Sequence, residues 1–190
     1  MNTRVWAFLA VLVLAGCGAS PSKPGQELFD EQTGNTVTVV SQPIVFARER
    51  NDVAAYSRDY VTLVAVEVDH SGQFKDYLLL YRWSTVDKRM LPPPDPEAGK
   101  LRLLSEGREL DLEPLGSLPV GLGSGRDLHV PRHGAAITHG YAVDLSVLRF
   151  IAASRALTLQ LPQEPLDTPF TLWQDGRRAL NQFVHQTSVP

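Results

Sequence analysis

The sequence predicts a mainly β protein, either an antiparallel β-sandwich or a curled sheet, with two or three short helices that include a C-terminal amphipathic helix. Three observations predict this fold. The 190 residues contain 14 glycines and 14 prolines, which is high for a helical protein and normal for strands joined by turns. Several stretches alternate apolar and polar side chains and are rich in β-branched residues, a pattern typical of strands. Residues 60–83 have the pattern of a long hairpin that is apolar on both faces, so we expect it to be covered on both sides.

The first strands are predicted in the segment before and within this hairpin. Residues 36–40 alternate with period two, and residues 43–47 form a second short extended segment. The hairpin itself has arms at 60–68 and 74–83. The turn between the arms contains Gly72, which is free to take a positive φ.

The elements of the second half of the chain are shorter. Strand patterns lie in residues 100–112, 141–145 and 156–161, and helix patterns lie in residues 146–154 and 175–186. The first of these strand patterns is interrupted at Glu106 and Gly107, which predicts a second hairpin. In the last segment Leu180, Phe183 and Val184 fall on one face of a helix. We therefore expect six to eight strands and two or three helices.

The N-terminus has the layout of an export signal. Arg4 is the only charged side chain before the apolar run of residues 5–16. This run is too short to span a bilayer, because a spanning helix needs about 20 apolar residues. It also has no polar face, which disfavours a buried core helix.

The run ends in Leu14-Ala15-Gly16-Cys17, which closely resembles the lipobox of bacterial lipoproteins. Small residues before the cysteine let the chain enter a tight peptidase site, and the thiol is the nucleophile that takes up diacylglycerol. The resemblance implies cleavage before Cys17 and acylation of the new amino group, commonly with palmitate. Cys17 is therefore the predicted lipidation site. Several acyl chains, at about 0.8 kcal/mol per buried methylene, hold a protein on a membrane almost permanently.

The predicted organisation follows from this anchor. Residues 1–16 are a lipoprotein signal peptide, residues 17–34 a lipid-anchored tether, and residues 35–190 a single β-rich domain. In lipoproteins of this type an Asp after the cysteine tends to retain the protein in the inner membrane. Gly18 stands there, so we expect the outer membrane, facing the periplasm, rather than the inner membrane.

Charge and cysteine content limit the possible partners. Loss of Arg4 with the signal peptide changes the net charge from −3 to −4. This mild acidity gives no reason to propose nucleic acid or anionic lipid as a partner. Cys17 is the only cysteine, so the domain has no disulfide and relies on its core.

Three histidines are the main candidates for metal chemistry. His129, His133 and His139 lie within eleven residues and would hold zinc or copper if their loop folded around the ion. Pro131 disrupts a helix through the first two, so helical ligation is excluded. A loop with solvent-exposed histidines is the alternative that we favour, and no metal ligand is assigned.

Other motifs carry weaker signals. Residues 121–126 are glycine-rich, but Arg126 replaces the third glycine of a dinucleotide fingerprint, so a loop is the better interpretation. Tyr77, Tyr81 and Trp83 share one face of a strand and would stack on a sugar or a peptide. We favour a core role for this row, with Trp83 expected to be the most buried of the three. Carboxylates are scattered, and no pair is assigned a catalytic role.

Residues 59–85 and 157–184 resemble a group of uncharacterised proteobacterial lipoproteins, and this resemblance implies no established activity. We expect a lipid-anchored periplasmic binding or accessory domain without catalytic activity, cofactor or bound metal. Its partners would be the membrane, through the anchor, and an envelope protein. The alternatives are a metal-binding protein that uses His129, His133 and His139, and a cell-envelope enzyme of unknown type.

Overall fold

The computed structural model describes residues 25–86, 99–119, 122, 128–129, 137–162 and 168–187. Within these residues the chain forms ten strands and two helices. The strands are β1 (Gly25–Asp30), β2 (Asn35–Val40), β3 (Ile44–Glu49), β4 (Arg58–His70), β5 (Gln73–Ser84), β6 (Leu101–Ser105), β7 (Arg108–Leu112), β8 (Ile137–Val143), β9 (Leu157–Gln160) and β10 (Phe170–Gln174). The helices are α1 (Leu145–Ala153) and α2 (Arg177–Thr187).

All ten strands belong to one antiparallel sheet, which confirms the predicted mainly β class with a C-terminal helix. The long strand β4 is its centre. One edge of β4 pairs with β5 along its whole length, and β5 pairs in turn with β8. The other edge is divided, because β3 pairs with residues 58–63 and β2 pairs with residues 66–69. The sheet therefore forks into one arm that ends at β1 and another that runs through β10, β9, β6 and β7.

The sheet curls so that its longer arm approaches β8. Leu115, just after β7, donates a backbone hydrogen bond to Gly140 of β8 (2.8 Å). The Tyr141 hydroxyl of β8 donates to the carbonyl of Gly99, just before β6 (2.5 Å). Of the two predicted architectures, the curled sheet is therefore the one that the chain adopts.

Two tight turns set the register of the hairpins. In the β4–β5 turn Ser71 has φ 54° and Gly72 has φ 83°, and in the β6–β7 turn Glu106 has φ 51° and Gly107 has φ 78°. Two consecutive residues with positive φ are the mark of a type I′ turn, whose twist matches that of the flanking strands. Both hairpins predicted from the sequence are thus confirmed, with glycine at the second turn position in each.

The central hairpin is covered on both faces, as its pattern predicts. We call the face that carries Val61 and Leu63 the inner face, and the face that carries Thr62 and Val64 the outer face. The helices pack on the inner face, where a Cβ at Gly25 would lie 3.5 Å from Phe183 of α2. The segment after β7 covers part of the outer face. There Leu118 reaches the space beside Gly140. The buried Leu122 and Leu128 belong to the main core cluster of the domain.

Both predicted helices form, each within two residues of its expected ends. Helix α1 buries Leu148 and Ile151, and α2 buries the predicted stripe together with Ala179. The two helices pack against each other. The guanidinium of Arg177 in α2 donates to the backbone carbonyls of Ser154 and Arg155 at the end of α1. A cation at this position satisfies carbonyls that the helix leaves without partners.

The structure corrects the predicted start of the domain. The sequence places residues 25–30 in the tether, but they form β1, which pairs with β2 over its full length. The segment lacks β-branched residues, so its own propensity gives little strand signal. Its strand conformation comes from pairing with β2, where Leu28 lies opposite Val37 on the outer face.

Neither of the described helices combines the length and the apolar character that a membrane-spanning helix requires.

Candidate functional site

The predicted site residues fall in different parts of the molecule. Cys17 and His133 lie outside the described residues. His129 has φ 58°, and its Nε2 lies 2.8 Å from the carbonyl oxygen of Val40, the last residue of β2. His139 lies in β8, opposite Leu80 on the inner face.

The structure does not bring His129 and His139 together. The strand order places β5 and β4 between β8 and β2, so about 14 Å of sheet separates the two histidines. His139 has its own environment, in which burial and the charge of Arg82 lower its pKa. Its Nε2 is buried and makes no hydrogen bond within the described part of the chain. The described portion also contains no group of three or more His, Cys, Asp or Glu side chains arranged to hold a metal ion.

The outer face carries an aromatic patch, which we define as Arg58, Tyr60, Trp83 and Trp173. Trp173 is exposed, Arg58 and Trp83 are half-buried, and Tyr60 is buried. Tyr60 and Trp83 lie opposite each other on β4 and β5, and their rings stack with centroids 4.0 Å apart. Trp173 of β10 meets the Tyr60 ring edge to face at 6.0 Å. The guanidinium of Arg58 lies 4.8 Å above the Trp173 ring. Trp173 is 57% exposed, although the chain offers it a neighbouring aromatic ring on which to pack.

The predicted aromatic row is only partly a core feature. Tyr81 is buried, with 2% of its surface exposed, whereas Tyr77 and Trp83 are half-buried. The expectation that Trp83 would be the most buried of the three is therefore wrong. Trp83 lies near the C-terminal end of β5, far from the β4–β5 turn. Its Nε1 donates to the Thr62 hydroxyl (3.1 Å), and its ring stacks on Tyr60. The buried position belongs to Tyr81, nearer the centre of the sheet.

An ionic cluster lies on the inner face, on the opposite side of the sheet from the aromatic patch. Asp59 accepts hydrogen bonds from Ser84 (2.7 Å), Arg50 (2.8 Å) and Arg48 (3.1 Å). Burial opposes ionisation of Asp59, but these bonds outweigh it and hold the pKa of the carboxyl below its usual value. The Arg48 guanidinium also lies 4.2 Å from the centre of the Phe170 ring. Asp59 thus ties β3, β4 and β5 together, and we assign the cluster a structural role.

A pair of carboxylates lies on the same face, at the other end of β4 and β5. Glu67 of β4 stands directly opposite Asp76 of β5, and both side chains are half-buried. Burial, reinforced by the negative charges of Asp76 and Asp69, raises the pKa of Glu67 to about 7. Burial and the charge of Asp144 raise the pKa of Asp76 as well. Like charges directly across a strand pair destabilise a sheet, so this arrangement favours the protonated form of Glu67.

Sequence reasoning missed most of the aromatic patch. It singled out Trp83 but not its contact with Tyr60, nor the role of Trp173. The patch joins residues of β4, β5 and β10, which are neighbours only because β3 links β4 to β10 in the strand order. The only local signal was a large aromatic residue in a short strand, and that signal alone predicts burial.

No family model matches the chain, and no curated protein and no solved structure gives a match either.

Proposed function

We propose that this chain is a lipid-anchored periplasmic protein, held to the outer membrane through Cys17, whose β domain binds another envelope protein through the aromatic patch. The exposure of Trp173 within this patch is the observation that carries the binding part of the proposal. In this proposal the domain acts as a binding or accessory subunit and carries out no reaction of its own.

The anchor is supported by the residues around Cys17. The complete match of Leu14-Ala15-Gly16-Cys17 to the lipobox pattern is accompanied by an apolar run too short to span a bilayer. The same residues support cleavage between Gly16 and Cys17. After cleavage the lipid would be attached eight residues before the first strand of the domain.

The composition of the patch supports protein binding. Trp, Tyr and Arg are the residues that most often dominate the energetics of protein–protein interfaces. An exposed Trp is a large apolar surface whose burial by a partner is favourable. Val45 and Ala47 lie in the same small buried cluster as Tyr60, and Trp83 packs against this cluster. The patch is therefore supported by buried apolar side chains.

The ring geometry favours a protein over a sugar as the occupant. A stacking platform for sugars needs an open aromatic ring face. Here Tyr60 and Trp83 cover one face of each other, and Arg58 covers one face of Trp173. These contacts occupy ring faces that a sugar would need, and the patch places a guanidinium beside one large exposed indole, which suits apolar side chains and a carboxylate of a protein partner.

In-cell photo-crosslinking from Thr171 tests this proposal. Thr171 is exposed and lies two residues before Trp173 in β10, so a photoreactive residue there leaves the patch intact. We expect one dominant envelope protein to be captured. The capture should be reciprocal when the identified partner is tagged, and it should be lost in Trp173→Ala.

The matched control is the same photoreactive residue at Gln73, which is exposed in the β4–β5 hairpin at the other end of the sheet. If position 73 captures the same protein as position 171, or if Trp173→Ala leaves the capture at position 171 unchanged, the aromatic patch is not the binding surface.

A further inference from the structure

Tyr56 is the most exposed large aromatic side chain among the described residues. It lies in the loop that joins β3 to β4, and 88% of its surface is open to solvent. Its φ is 65°, in the left-handed region that bulky residues rarely adopt and that glycine adopts easily. The exposed ring adds almost nothing to the core. Neither packing nor the geometry of the turn therefore accounts for a tyrosine at this position.

The loop holds the Tyr56 backbone in place through its own contacts. The amide of Arg50 donates to the carbonyl of Ser57 (2.8 Å). The guanidinium of Arg50 binds Asp52 through two nitrogens (2.9 and 3.0 Å) and also donates to Asp59 of β4 (2.8 Å). These contacts brace the loop on both sides of Tyr56. A partner would thus meet a ring on a fixed backbone, which lowers the entropy lost on binding.

The aromatic patch is too small to form a stable interface by itself. Trp173 is its exposed member, and an indole side chain of roughly 250 Å² that is 57% exposed offers about 140 Å². A standard protein–protein interface covers about 800 Å² on each partner. A partner seated on the patch therefore also contacts surface beyond its four residues.

Tyr56 continues the surface of the patch. It is two residues from Arg58, so their Cα atoms are at most about 7 Å apart, and the Arg58 guanidinium lies against the Trp173 ring. The other exposed aromatic side chains of the described residues are distant. Phe29 and Phe74 lie on the inner face near the β4–β5 turn, about 35 Å along β4 from Arg58. Tyr56 is therefore the exposed ring that a partner on Trp173 can also reach.

We propose that Tyr56 is a second anchor for the same envelope protein, so that the binding surface runs from Trp173 across Arg58 onto the β3–β4 loop. This inference rests on the proposed function of the aromatic patch. The partner of this surface offers two apolar pockets, one for an indole and one for a phenol ring, and a carboxylate for Arg58. Tyrosine suits such a pocket because it buries a large ring and loses little side-chain entropy.

The test measures capture in cells and affinity in solution, with the full chain in both. A photoreactive residue at position 56 should capture the same protein as one at position 171. That protein is then tagged, purified and titrated against the mature chain. Tyr56→Ala should weaken the affinity about five-fold or more, which is the loss that marks an energetically important interface residue. Tyr56→Phe keeps the ring and should retain most of the affinity.

Two further variants separate binding from folding. Tyr56→Gly removes the ring but suits the positive φ, so it should weaken binding as alanine does while the midpoint of urea unfolding stays the same or rises. A tyrosine that served only the fold would instead lower this midpoint without a matching loss of affinity. Phe74→Ala is the matched control, because it removes an exposed ring at the far end of β4 and should leave the affinity unchanged.

Three outcomes keep this inference and the proposed function apart. Weaker binding of both Tyr56→Ala and Tyr56→Gly, with one protein captured from positions 56 and 171, supports the second anchor. Unchanged affinity of these variants, or no capture of that protein from position 56, overturns the second anchor and leaves the patch standing if Trp173→Ala still abolishes capture. If position 171 captures no partner, or Trp173→Ala leaves its capture unchanged, the proposed function is overturned and the second anchor falls with it.

Discussion

Replacing Glu67 by glutamine is expected to stabilise the protein above neutral pH and to have little effect in mild acid. Glu67 is half-buried directly opposite Asp76, and Asp69 lies two residues away on the same strand. In the folded protein the negative charges of these three carboxylates therefore lie close together, where water screens them only partly. Glutamine keeps the shape and the hydrogen-bonding capacity of the side chain but carries no charge, so it removes the repulsion with little change in packing.

The magnitude follows from the shift in the pKa of Glu67 from 4.5 to about 7. Such a shift corresponds to roughly 3 kcal/mol if none of it is screened. The carboxyl is only half-buried, so we expect about 1–2 kcal/mol. Because the pKa is higher in the folded state, the folded protein binds this proton more tightly than the unfolded chain does. The stabilisation that comes from protonated Glu67 is complete below about pH 4.5, and it is lost as the pH rises to about 7.

Urea denaturation of wild type and Glu67→Gln at about pH 5 and about pH 8 measures the difference. The free energy of unfolding of the variant should exceed that of wild type at the higher pH and match it closely at the lower pH. Glu31→Gln, in the exposed turn after β1, is the matched control and should follow wild type at both values. Equal stability of wild type and Glu67→Gln at both pH values would refute the electrostatic reasoning.

Three further predictions test separate parts of the structure. Asp59→Asn should lower the free energy of unfolding by about 3 kcal/mol in urea denaturation at neutral pH, because it removes the half-buried negative charge that both Arg48 and Arg50 contact. Gly176→Ala should cost about 2 kcal/mol or more in the same assay, since its Cβ would lie 2.3 Å from the carbonyl oxygen of Pro43, whereas Gly116→Ala meets no atom within 4 Å and should be nearly neutral. Cys17→Ser should leave an unprocessed precursor without radioactive palmitate, and palmitate incorporation at the wild-type level would contradict the lipobox interpretation.

Local chemistry explains why the two type I′ hairpins could be predicted. A type I′ turn needs two consecutive residues with positive φ, and glycine at the second position meets this need within the turn itself. The pairs Ser71–Gly72 and Glu106–Gly107 are flanked by alternating arms, so turn and register were both visible in the sequence. The amphipathic stripe of α2 is likewise a local pattern.

Elements that depend on a distant partner were harder to predict. The strand β1 forms because β2 offers a free edge, and β2 is available because β3 takes only the first half of β4. This division of one strand edge between two partners has no signal in any single segment. The same limit applies to the aromatic patch, which Trp173 joins through the pairing of β10 with β3.

The histidines show the limit of a spacing argument, because closeness in sequence does not by itself bring side chains together in space. His129 and His139 are ten residues apart along the chain, yet one bonds to the end of β2 and the other lies in β8. Strand formation decides this, because β8 extends the chain and aligns His139 with Leu80 of β5. A spacing argument for a metal site holds only when the intervening residues form a loop that can close around the ion.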